Sequence, residues 1–110
     1  MSKINNMNLS GGSGASYVFQ VYPLDTPFKE VGGVYVISRR TLKLDGGGNH
    51  DIYYVGQTLT LAERFNDHHK AEHWERREAN CISVLVEENE RVRLAIEADL
   101  IAAFNPCCNG

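Results

Sequence analysis

Long apolar runs are absent. No stretch of the chain approaches the roughly 20 consecutive apolar residues that a membrane-spanning helix needs. Cysteine is scarce: the three are Cys81, Cys107 and Cys108. An odd count, with two thiols adjacent and so badly placed to pair with each other, argues against a disulfide-stapled secreted domain and for a reducing cytoplasm. Basic charge is also short, since 11 Lys and Arg stand against 14 Asp and Glu for a net charge of -3. The chain therefore lacks the overall positive field of most nucleic-acid-binding domains. An enzyme that grips one phosphate group can still be acidic overall if its cleft is locally positive. The opening residues, MSKINNMNLSGGSGAS, have neither an apolar segment nor a cleavage signature and do not form a signal peptide. Their Asn, Ser and Gly content predicts a flexible arm over 1–16.

What is present is an ordinary globular composition, 43% hydrophobic in 110 residues, enough for one domain over 17–110 with a modest core. SYVFQVY, closed off by Pro23 and Pro27, alternates loosely and suits an edge strand. GGVYVIS (32–38) is β-branched and aromatic and reads as a strand. RRTLKLDGGGNH follows as a glycine-rich loop, and DIYYVGQ is its antiparallel partner across a long hairpin. Thr60 and Glu63 match a capping box, which predicts a helix over about 60–72. CISVLVE is another strand. A second helix then begins among Glu87, Glu88 and Glu90, where its dipole favours negative charge, and Pro106 ends it after Phe104. The order β-β-α-β-α describes an α/β (α+β) domain, a small sheet with helices against it and an optional extra N-terminal edge strand.

Polar residues on apolar faces mark candidate chemistry. On a wheel of the second helix, Val92, Leu94, Ile96, Leu100, Ile101, Ala103 and Phe104 form one apolar arc, and Glu97 falls inside it. A carboxylate facing the protein body needs a cation, either an arginine or a metal. On the first helix, Leu61 and Phe65 set a buried stripe that His68 shares and Arg64 borders. Guanidinium matches phosphate bidentately, so this pair suits an anion site; an Arg64–Glu97 bridge between helices is the structural reading of the same residues. Strand parity puts Tyr35 with Ile37, and Tyr54 with Ile52 and Gly56. The two phenols meet if those faces coincide, either as plain aromatic packing or as a site. Gly56 either admits a ligand close to the backbone or makes a turn.

These residues resemble the GIY-YIG nucleases. Gly33-Val34-Tyr35 and Tyr54-Val55-Gly56 match the two tripeptides, each with an Ile-to-Val exchange. Arg64 and His68 follow in order, and the run from Glu97 to Asn109 is similar to the family's closing helix and terminal asparagine. The resemblance covers Gly33 to Asn109. It implies a three-stranded antiparallel sheet flanked by helices, and hydrolysis of DNA phosphodiesters with Mg²⁺ or Mn²⁺. Glu97 would bind the metal, Arg64 would hold the scissile phosphate, Tyr35 would take the proton of the attacking water, Tyr54 would orient that water or the phosphate, and His68 would assist proton transfer. Gly56, Gln57, Arg39, Arg40 and Asn109 would contact substrate. Gln57 departs from the lysine or small residue that many members carry, and the loop from Arg39 to Asp51 is long for the family. That loop is either a flap with Arg39, Arg40 and Lys43 on DNA backbone or a neutral insertion.

Two rivals stand beside this reading. His68, His69 and His73 with Cys107 and Cys108 can be assembled into a zinc site, although no C-x-x-C accompanies them. The other rival is a non-catalytic DNA-binding or assembly module. A lone nuclease core leaves specificity to DNA structure, to a protein partner or to self-association, and RNA stays open as a substrate.

Overall fold

The computed structural model describes residues 3–42, 44, 48–63 and 76–109. Their frame is an α+β domain built on a five-stranded antiparallel sheet in the order β1-β2-β5-β3-β4. The strands are β1 (Asn5–Ser10), β2 (Ser16–Pro23), β3 (Gly33–Leu42), β4 (Gly48–Thr58) and β5 (Cys81–Val86). A 3-10 turn covers Leu61–Glu63, and one α-helix among the described residues, α1, spans Glu90–Phe104. No helix among them is long and apolar enough to cross a membrane.

This corrects the expected three-stranded sheet. Residues 5–10, expected in a flexible arm, form β1, and β2 is an interior strand with β1 outside it. Asparagine-rich composition conceals β1 because most of its side chains are exposed; only Leu9 is buried. The expected loop after Ser38 is mostly sheet, with ladder pairs running out from Arg39 and Asp51 to Leu42 and Gly48. Of the helix predicted over 60–72, the described residues show the 3-10 turn, and the rest lies outside them.

β3 reads as a continuous apolar run because both of its faces are covered, as expected of a central strand. Val34 and Val36 join Leu9, Phe19, Val55, Ile96 and Leu100 on the helix side. Tyr35 and Ile37 join Leu61, Ile82, Val84 and Cys108 on the other. Across the sheet, Gln20, Val84, Tyr35 and Gly56 lie in one register row, and Tyr22, Ile82, Ile37 and Tyr54 in the next. A register shift after Ile37 pairs Ser38 with Ile52. Strict parity therefore fails at this bulge: Ile52 packs on the helix side and Tyr54 on the opposite side.

α1 is capped at both ends. The Asn89 side chain accepts from the Val92 N–H, and Asn105 adopts the left-handed conformation at φ 44°, its N–H donating to Ile101. The buried stripe is Arg93, Ile96 and Leu100, narrower than the apolar arc of the wheel, since Val92, Leu94 and Phe104 are exposed. Asp99 fastens the β1–β2 turn to this helix. It accepts from the Ser13 N–H at 2.8 Å, the Ser13 hydroxyl at 2.7 Å and the Tyr17 hydroxyl at 2.7 Å.

Those donors hold the Asp99 carboxyl below its ordinary 3.8, the Ser13 hydroxyl contributing most, and the Asp99 contact raises the Tyr17 phenol above 10.0. A depressed acid stabilises the fold above its unfolded pKa and loses that contribution as pH falls through the folded value. The clasp should therefore weaken on acidification below about pH 4. Asp99→Asn is expected to flatten the acid limb of the stability profile and to speed hydrogen exchange at the Ser13 amide. An unchanged acid limb would count against the clasp.

Candidate functional site

Tyr35 lies on β3 directly opposite Gly56 of β4, and Tyr54 opposite Ile37. The two rings approach with centroids 6.0 Å apart and planes at 34°. Gly56 makes this possible. A Cβ built on it would lie 2.6 Å from Tyr35 Cζ, 2.7 Å from the Tyr35 hydroxyl and 2.9 Å from Tyr54 Cε2. Its φ is not positive, so the requirement is space for two phenols rather than a turn.

Glu97 comes from α1, on the other face of the sheet, near Gln57 of the edge strand β4 and close enough to Tyr54 for its charge to act on that phenol. It is half-buried, and desolvation pushes its carboxyl above the ordinary 4.5, offset in part by the backbone N–H of Gln57 near it. Burial, and then the negative charge of Glu97, push the Tyr54 phenol above 10.0, while a hydrogen bond with Tyr35 draws it back. Two phenols and an acid from three different elements thus form one electrostatic unit. Tyr54 is protonated at neutral pH.

The fit to a divalent cation rests on Glu97. It is a desolvated carboxylate with no ion-pair partner among the described residues. No group of three or more His, Cys, Asp or Glu gathers among them. A single carboxylate suits Mg²⁺ or Mn²⁺, which keep waters and take phosphate oxygens as ligands. Arg64 and His68 lie outside the described residues, as do His69 and His73 of the zinc alternative. Cys107 and Cys108 carry free thiols with sulfurs 3.1 Å apart.

The remaining expected contacts have other partners. The Asn109 side chain binds the free edge of β4, accepting from the Val55 N–H and donating to the Val55 carbonyl, both at 2.8 Å. The Cys108 N–H donates to the Tyr53 carbonyl two residues along. The C-terminal segment therefore covers an edge that would otherwise present unpaired backbone groups. Asn109→Ala is expected to cost about 1–2 kcal/mol in urea unfolding and to expose the Val55 amide to exchange. A protected amide in that variant would refute the cap.

Gln57 turns its side-chain oxygen to Arg93, which donates from Nε at 2.9 Å. Arg39 pairs with Glu78 at 3.5 Å on the surface. The Arg40 backbone exchanges hydrogen bonds with the Asn80 side chain at 2.7 and 3.1 Å. Both arginines extend from a paired strand rather than from a loose flap, well along β3 from Tyr35. Arg93 is the residue that the wheel missed: an arginine in a mixed stretch looks like solvated charge, yet it is 1% exposed.

Comparisons of the chain with models of known protein families, with curated proteins and with solved structures find no significant match.

Proposed function

We propose that this protein is a metal-dependent endonuclease that hydrolyses DNA phosphodiester bonds, a divergent relative of the GIY-YIG nucleases. The observation that carries the reading is the close approach of Tyr35 and Tyr54 over Gly56, with the charge of Glu97 near enough to act on Tyr54. The paired tripeptides Gly33-Val34-Tyr35 and Tyr54-Val55-Gly56 supply both phenols and the space between them.

In this reading Glu97 holds Mg²⁺ or Mn²⁺. When bound, such an ion supplies Lewis-acid polarisation of the phosphate and a water of lowered pKa. Tyr54, kept protonated by burial and by Glu97, donates a hydrogen bond to the attacking water or to a phosphate oxygen. Tyr35, buried at 4% exposure and hydrogen-bonded to Tyr54, would take the proton of that water onto its phenolate oxygen, a form that the charges of Arg64 and of a bound divalent ion would favour. Arg64 clamps the scissile phosphate and His68 assists the proton transfer. Arg39 and Arg40 lie further along the same strand for contact with DNA backbone. Free thiols suit a reducing cytoplasm. Specificity comes from DNA structure, a protein partner or self-association.

The test is nicking of supercoiled plasmid by the full chain with Mg²⁺ or Mn²⁺, against chelator and against Glu97→Ala. Metal-dependent nicking that disappears in the variant supports the enzyme. DNA binding without nicking, indifferent to Glu97, replaces it with a binding or assembly module.

A further inference from the structure

Among the described residues Arg93 is the largest completely buried side chain, and its charge meets no carboxylate there. The partners it does have are neutral. Nε donates to Gln57 Oε1 at 2.9 Å, and one terminal nitrogen donates to the carbonyls of Glu87 and Glu88 at 3.0 and 2.9 Å. Gly32 makes room for that nitrogen, since a Cβ there would stand 2.6 Å from it. Gly32 is itself pinned to the same loop: its N–H donates to Glu88 Oε1 at 2.7 Å, and its carbonyl accepts from the Glu87 N–H at 2.9 Å. One guanidinium thus ties the first turn of α1 to the end of β5, the entry of β3 and the far end of β4. A buried cation held by neutral groups is a costly way to fill a core, so its geometry is what it contributes.

Arg93 and Glu97 stand one turn apart on the same helix and therefore share a face. Gln57 joins them, its side-chain oxygen on Arg93 and its backbone N–H near the Glu97 carboxylate. We infer that Arg93 is a positioning residue for Glu97. By holding Gln57 and the start of α1, it fixes where the carboxylate stands relative to Tyr54 and presents it to a divalent cation. Gln57, where the resemblance implied substrate contact, is the link between them. This inference rests on the nuclease reading.

Partners that orient a metal ligand typically alter metal affinity or activity by about 10–100-fold when removed. The test is Mn²⁺ titration of the full chain, followed by paramagnetic broadening of the Glu97 and Gln57 amide signals, beside steady-state cleavage. Arg93→Met and Gln57→Met are each expected to raise the half-broadening Mn²⁺ concentration about 10-fold. Each should lower kcat at fixed metal while KM for DNA stays within about twofold. The double variant should do no more than either single one, because both cut the same link. A half-broadening concentration unchanged in Gln57→Met overturns the proposal, and that variant decides the matter if Arg93→Met does not fold. Glu97→Gln separates the two readings. Broadening and cleavage that survive it overturn the nuclease reading and this inference together, whereas sensitivity to Glu97 without sensitivity to Gln57 or Arg93 overturns the positioning role alone.

Discussion

Glu97→Gln is expected to lower DNA cleavage by about 10³-fold or more while raising the melting temperature of the metal-free protein. The two effects have one cause. Burial lifts the Glu97 carboxyl above its ordinary 4.5, because the charged form is poorly solvated between α1 and the end of β4. An acid with a raised folded pKa stabilises the native state only at low pH, and that contribution is lost as pH rises through the folded value. At neutral pH the ionised side chain therefore works against the fold. The amide has the same shape and carries no charge, so the fold gains while the cation site is lost. Such opposition between stability and activity is expected where a site requires an unfavourable charge. Thermal unfolding in chelator and plasmid nicking in Mg²⁺ measure the two halves. Undiminished nicking would sink the metal role, and a lower melting temperature would sink the electrostatic account.

Gly56→Ala is expected to act on the phenols. The added Cβ would stand 2.6 Å from Tyr35 Cζ and 2.9 Å from Tyr54 Cε2, closer than carbon atoms approach. Tyr35 is buried at 4% exposure, with Ile37, Leu61, Ile82 and Val84 in the same cluster, so its ring has little freedom to yield. Overpacking of this kind costs about 1–3 kcal/mol. The consequence for activity should be larger in proportion, because a displacement of roughly 1 Å at a reacting group can cost about 10²-fold. Urea unfolding gives the first figure and nicking under saturating metal the second. Wild-type cleavage in a folded Gly56→Ala protein would show that the close approach of the two rings is core packing without a catalytic role.

Part of this protein is legible from local chemistry alone. β-Branched and aromatic runs announce β3, β4 and β5, and the limits of α1 follow from the acidic start and Pro106, since strand propensity and helix termination depend on near neighbours. The placement of Glu97 on an apolar face is likewise visible, because helical periodicity depends on the sequence alone. β1 is hidden: a strand exposed on nearly every side chain has no alternation to read, and its membership of the sheet comes from backbone pairing with β2. The bulge that parts Ile52 from Tyr54 is equally silent, because one extra residue reverses parity without changing composition.

The sequence by itself determined which groups were available: two phenols, a spacer glycine and a misplaced acid, each on an element it could nominate. Only the tertiary structure decided that β3 lies between β5 and β4, which sets Tyr35 opposite Gly56, and that Asn109 is consumed in closing the edge of β4. It also turned Arg93 inward to Gln57, where a reading of charge alone leaves an arginine in water. The physical reason is that strand order, edge closure and buried hydrogen bonds join residues distant in the chain, and no local preference encodes them.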